Sequence, residues 1–259
     1  MPYRLLMCPP DHFEVRYSIN PWMRNQVNRV DLAHARKQWD DFFKALEPKA
    51  EIQLLKPQSH TPDLVFTANA GAVRGNRVVL SRFRYKERQA EEPFFREWFS
   101  EHGYEIIELD ESIRFEGAGD ALFQPDRNWL WAGYGFRTDR EAHAALGRKL
   151  DVTVISLRLT DPRFYHLDTC FCPLPDDCAM YYPPAFDEES LSRIESRIKP
   201  ENRIVVPAAD AMNFACNAVL VGQTLYLNPA SKKLQARPEG TGLSVCIQPD
   251  TEFMKAGGP

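Results

Sequence analysis

Short apolar runs alternate with stretches of helical periodicity along this chain, and the alternation repeats. Asn69-Ala70-Gly71-Ala72-Val73 passes through Arg74-Gly75-Asn76 into Arg77-Val78-Val79-Leu80-Ser81, and Gly-Asn between two β-rich runs predicts a hairpin. Asp120-Ala121-Leu122-Phe123 turns through Asp126-Arg127-Asn128 into Trp129-Leu130-Trp131-Ala132-Gly133. Cys170-Phe171-Cys172-Pro173-Leu174 turns through Asp176-Asp177 into Cys178-Ala179-Met180-Tyr181-Tyr182, and Ala218-Val219-Leu220-Val221 through Gly222-Gln223 into Thr224-Leu225-Tyr226-Leu227. Apolar residues at Leu32, Ala35, Trp39, Phe42, Phe43 and Leu46 recur every three or four positions, which predicts an amphipathic helix over 29–46. Shorter helical patterns cover 92–102, 140–150, 188–198 and 231–237, and short strands over 105–109, 152–156 and 203–207 follow three of them. The repeating unit is hairpin, helix, strand. An α/β fold follows, and with no composition break or Gly/Ser linker the chain reads as one domain, residues 1–259.

Four similar turns open these hairpins, at Phe66–Gly71, Phe115–Asp120, Tyr165–Cys170 and Phe214–Val219. Their markers Asn69, Asp120, Asp168 and Asn217 are 51, 48 and 49 residues apart, so a fifth is due past Pro259. A ring of such units aims equivalent strand ends at one axis, so polar residues about 50 positions apart in sequence converge.

Composition narrows the setting. Of the 259 residues 44% are hydrophobic and 26% charged, as in an ordinary soluble globular protein, and a net charge of -4 favours neither nucleic acid nor an anionic membrane. The chain lacks a leader pattern and any long apolar stretch, so the expectation is cytoplasmic. The six cysteines, at 8, 170, 172, 178, 216 and 246, sit mostly in apolar runs and read as buried thiols of a reducing compartment.

The candidate chemistry rests on Asn69, Glu116, Asp120, His166 and Asp168, with Arg88 and Arg137 after the first and second hairpins. A histidine beside carboxylates both takes and gives a proton near neutral pH, and a carboxylate grips a planar guanidinium through two hydrogen bonds. Two arginines suit a carboxylate at the other end of the ligand. Together they describe a pocket for an amino acid with a guanidino side chain. Plainer readings stand beside this one. A lone His-X-Asp also fits a satisfied structural histidine, the Glu116–Asp120 turn a pair of capping carboxylates, and Arg88, within the charge-rich run 82–92, a solvated helix face. Cys170 and Cys172 lack the second pair a zinc site needs. Cys216, next to a marker, is a possible nucleophile by position, though Phe214 and Ala215 favour a buried thiol, and Cys246 sits in a core-strand pattern.

At these residues the chain resembles the guanidino-modifying superfamily of arginine deiminases, dimethylarginine dimethylaminohydrolases and amidinotransferases, and most closely its arginine dihydrolase branch. The segments that carry the resemblance are Cys8–Asp11, Ile19–Met23, Pro62–Asn69, Phe115–Leu122, Gly133–Arg137 and His166–Cys172. It implies a five-bladed α/β-propeller built around a pseudo-five-fold axis. It also implies hydrolysis of arginine to ornithine, ammonia and carbon dioxide through a covalent cysteine thiouronium, without metal or organic cofactor. Glu116 and His166 would be catalytic; Asn20, Asn69, Asp120 and Asp168 would contact substrate, and Arg88 and Arg137 would hold its α-carboxylate. The family's nucleophile follows a segment like Glu252–Gly258, which places it just after Pro259 rather than at Cys216 or Cys246. Deiminases usually carry Asp where this chain has Asn69, and their turn holds two residues, not three, between the carboxylates matching Glu116 and Asp120. One-step citrulline formation from arginine or dimethylarginine, or arginine binding without catalysis, are the alternatives; oligomeric state is open.

Overall fold

The computed structural model describes residues 3–258, which fall into two compact units, 3–67 with 204–258 and Ala68–Arg203.

In the unit Ala68–Arg203, the predicted hairpins form. Gly71–Arg74 pairs antiparallel with Arg77–Leu80, and Glu105–Ile107 returns parallel to that second strand after the helix Glu92–Glu101. The plan recurs with Ala121–Phe123, Trp129–Tyr134, the helix Glu141–Leu150 and the parallel strand Thr153–Arg158. The third hairpin pairs Phe171–Leu174 with Cys178–Tyr181, followed by the helix Glu188–Glu195, and the strand Arg203–Val205 begins at the unit's last residue. The first hairpin turns on Gly75 at φ 62°, a left-handed conformation that costs glycine little, which is why the Gly-Asn signal marks it. Between the first two sheets, Val79, Phe115, Leu130, Leu146 and Leu150 form a continuous core. Its apolar faces hold the strand ends, and hence the turns that begin each hairpin, in place.

The other unit carries the hairpin Val219–Val221 with Thr224–Leu227, joined in parallel by Ser244–Ile247 after the helix Lys232–Glu239. It also contains a parallel pair, Tyr3–Met7 with Ala50–Leu54, linked through the helix Leu32–Leu46. That helix starts later than its periodicity suggests because Asp31 caps it, its side chain accepting the His34 N–H at 3.1 Å. Ala35 faces one apolar cluster of this unit and Leu46 another. Among the described residues the strands form five small sheets. Five of the six cysteines are buried and Cys246 is half-buried. No described helix is long and apolar enough to cross a membrane.

Candidate active site

Three of the marker residues sit in or directly after a single 3-10 turn. Asn69 lies in Thr67–Ala70, Asp120 follows Gly117–Gly119, and Asp168 is the middle residue of Leu167–Thr169. The turns project side chains instead of extending a strand, and within the unit Ala68–Arg203 they bring residues about 50 positions apart together.

His166 stands between two carboxylates. Its Nδ1 is 3.0 Å from Asp120 Oδ2, and its Nε2 lies 3.2 Å from Glu116 Oε2 without good hydrogen-bond alignment. Asp120 is 1% exposed, and its other oxygen accepts the Leu167 N–H at 3.0 Å. Both carboxylates therefore reach the imidazole, the spacing of three residues notwithstanding. Burial disfavours the charged ring, but the charge and hydrogen bond of Asp120 and then those of Glu116 outweigh it, pushing the His166 pKa up to about 9. At pH 7 the site holds an imidazolium.

Glu116 is fully buried and heavily supported. Arg137 Nη1 donates to its Oε2 at 2.8 Å, and the Arg84 N–H donates to its Oε1 at 3.1 Å. Burial alone would raise its pKa, yet Arg137 and then His166 hold it well below the usual carboxylate range. The Arg137 guanidinium lies against the rings of Tyr85 and Tyr165, 4.8 and 4.5 Å from their centroids.

A second buried pair adjoins the first. Arg88 donates through Nε and Nη2 to Glu91 at 2.9 and 2.7 Å, and through Nη1 to Asn69 Oδ1 at 2.8 Å. Asn69 Nδ2 then donates to the Glu116 carbonyl at 3.2 Å. The amide is thereby fixed, carbonyl toward Arg88 and NH2 toward Glu116. Arg88 and Glu91 are 4% and 0% exposed, so the solvated-face reading of the run 82–92 does not describe them. The α-carboxylate role expected of Arg88 and Arg137 rests on the resemblance, since both guanidiniums already pair with protein carboxylates. Asp168 is half-buried.

Asn20 belongs to the other unit. Its Oδ1 accepts the Trp22 and Met23 N–H groups at 2.9 and 3.0 Å, and its Nδ2 donates to the Ala256 carbonyl at 2.8 Å, tying the early loop to the terminal segment. Among the described residues no group of three or more His, Cys, Asp or Glu is placed to hold a metal ion. Cys172 is an inert thiol, its pKa pushed up to about 12 mainly by burial.

Sequence reasoning overlooked Glu91, Thr138 and Gly119. Only Gly119 carried a readable signal, a glycine between two candidate carboxylate positions. A Cβ there would come within 2.4 Å of Asn69 Nδ2 and 3.2 Å of His166 Nδ1. Gly119→Ala is expected to cost about 1–3 kcal/mol through overpacking and to displace the Asn69 amide. Thermal unfolding and the His166 ring shifts check it; an alanine variant matching wild type in both would show that the contact is not tight.

A sequence-family profile described as "N,N dimethylarginine dimethylhydrolase, eukaryotic" matches residues 9–228. The chain belongs to this family. The chain is 52% identical over 255 residues to the bifunctional arginine dihydrolase/ornithine cyclodeaminase AgrE of Nostoc sp., covering 98% of this chain but 36% of AgrE. The chain thus spans about a third of the length of that relative. The N(G),N(G)-dimethylarginine dimethylaminohydrolase of Mycobacterium tuberculosis is 39% identical, with 98% of this chain and 82% of that one covered. The N-terminal domain of ArgZ, a cyanobacterial arginine dihydrolase, has been solved as a cysteine-to-serine mutant bound to substrate. It superposes with a TM-score of 0.97 at 52% identity, covering 98% of this chain and 94% of that one. The expected guanidino-modifying family is therefore confirmed.

Proposed function

We propose that this chain is the guanidino-hydrolase part of an arginine dihydrolase, converting L-arginine and two waters to ornithine, carbon dioxide and two ammonia. The observation that carries the reading is the His166 imidazolium held between buried Glu116 and Asp120, supported by the chain's 52% identity to arginine dihydrolases. The nucleophile is a cysteine thiolate following the Glu252–Gly258 segment, a reading supported by the cysteine-to-serine mutant of ArgZ solved with its substrate. The thiolate attacks the guanidinium carbon, and His166 gives its proton to the departing ammonia, leaving a thiouronium and a neutral imidazole. That imidazole then takes a proton from water as it attacks, and the thiol leaves with citrulline as product; a second passage over the ureido carbon yields ornithine. Glu116 stabilises the imidazolium and Asp120 orients it. Asp168 grips the guanidinium; Arg88 and Arg137 serve the α-carboxylate end while anchored by Glu91 and Glu116, and Asn20 and Asn69 line the substrate. The hairpin-helix-strand units are read as blades of a five-bladed propeller in one catalytic domain, and the cytoplasm as its compartment.

Arginine supplied to the protein carrying the segment beyond Pro259 should give ornithine and two ammonia per arginine. Citrulline alone would favour one-step hydrolysis, a second reading that the family's dimethylarginine relatives support. Arginine binding by calorimetry with no ammonia would leave a binding module.

Asn69 is the proposed switch between one and two hydrolyses, because a neutral amide tolerates the neutral ureido group. Asn69→Asp sets a carboxylate oxygen against the Glu116 carbonyl in place of a donor. The ornithine share is expected to fall about tenfold, equivalent to about 1.4 kcal/mol, with citrulline accumulating. Unchanged ornithine output would refute the switch.

A further inference from the structure

Thr138 follows Arg137 directly and is 2% exposed. Its hydroxyl accepts the Glu116 N–H at 3.1 Å and donates to Asp120 Oδ2 at 2.7 Å. A hydroxyl has one proton to give, and a carboxylate oxygen only accepts, so the direction of both bonds is set. The same Asp120 oxygen lies 3.0 Å from His166 Nδ1. One hydroxyl thus joins the backbone of one carboxylate residue to the side chain of the other, while its neighbour Arg137 grips Glu116 through its guanidinium.

We propose that Thr138 is a positioning residue for His166: its hydroxyl fixes Asp120 Oδ2 as the acceptor of the Nδ1 proton, leaving Nε2, which faces Glu116, as the nitrogen that exchanges protons in the reaction. Two donors, the Thr138 hydroxyl and the Leu167 N–H, hold Asp120 at opposite oxygens, so the carboxylate cannot rotate away from the ring without breaking one of them. Glu116, fixed by Arg137 and the Arg84 N–H, cannot take over at Nδ1 because it stands on the Nε2 side. The charged groups around the ring are Asp120 and Glu116 directly, with Arg137 and Arg88 acting through Glu116 and the Tyr165 ring packed 4.9 Å away. The influence of Thr138 on the ring passes through Asp120. The part played by Nε2 in turnover rests on the proposed guanidino-hydrolase reading, whereas the orientation of the ring does not.

The test is nitrogen NMR of the His166 ring as pH is varied, in the wild type and in Thr138→Val, Thr138→Ala and Thr138→Ser. The valine variant keeps the shape and loses the donor; the alanine variant loses the donor without adding a methyl group beside the carboxylates, and serves if valine does not fold. Both are expected to lower the His166 pKa by about one unit, a tenfold change in its protonation equilibrium, and to mix the two ring tautomers. Thr138→Ser should restore the wild-type titration. An unchanged titration in valine and alanine overturns the proposal, and so does a serine variant that shifts as much as they do, since packing rather than the hydroxyl would then be responsible. Absence of ornithine formation with the expected NMR result would remove the functional reading and leave the positioning role standing.

Discussion

Replacing Glu116 with alanine lowers stability by about 3–5 kcal/mol, the usual cost of removing one partner from a buried ion pair. The reason is what stays behind. Arg137 is 2% exposed and enclosed by Tyr85 and Tyr165, so its guanidinium would keep its charge without the carboxylate that justifies burying it. The Arg84 N–H also loses its acceptor. In a chain of this size the loss corresponds to a fall in Tm of roughly 6–20 °C. Combining Glu116→Ala with Arg137→Met removes the stranded charge and should recover much of the loss, because an apolar pair of similar volume is often no worse than a buried ion pair. A single variant that melts within about 2 °C of wild type would show that Arg137 finds another partner or reaches water.

Stability also falls as pH rises from about 6.5 to 9, by on the order of 3 kcal/mol. His166 has a folded pKa of about 9, above the ordinary value near 6.5 of the unfolded chain. The folded state therefore binds a proton that the unfolded state releases across this interval. The stabilisation is fully present below about 6.5 and is lost as pH passes the folded value. Asp250, pushed up to about 7 by burial, changes mostly below this window. Denaturant unfolding at several pH values in wild type and Asp120→Asn isolates the histidine, since Asp120 is the stronger of the two carboxylates raising it. The slope should flatten in the variant; an identical slope would mean that another group is responsible.

The hairpins, helices and return strands were legible because each is a local pattern. Arg77–Leu80 is bounded by Gly75 on one side and a helical periodicity on the other, and no distant contact is needed to place it. The convergence of Asn69, Glu116, Asp120 and His166 was legible only through the repeat, which turns positions 50 residues apart into equivalents. Their connections were not. Sequence order leaves Glu116 and Asp120 as rivals for His166, whereas the ring has two nitrogens and each carboxylate faces one. Glu91 looked like any surface charge until the turn of helix Lys86–Gln89 brought Arg88 inward beside it. Thr138 has no pattern at all, because a single hydroxyl becomes meaningful only when its two partners, 22 and 18 residues earlier, are known.

The buried groups of this site cancel in charge: Glu91, Glu116 and Asp120 against Arg88, Arg137 and the protonated His166. On the proposed reading, a guanidinium entering among them would add one positive charge, to be offset by Asp168, which is half-buried. If Asp168 compensates only in part, the imidazolium gives up part of its proton to the buffer, and the heat of arginine capture then varies with the ionisation enthalpy of the buffer. On that reading, turnover would begin with some histidines already in the basic form, their share set by how closely one carboxylate approaches the ligand.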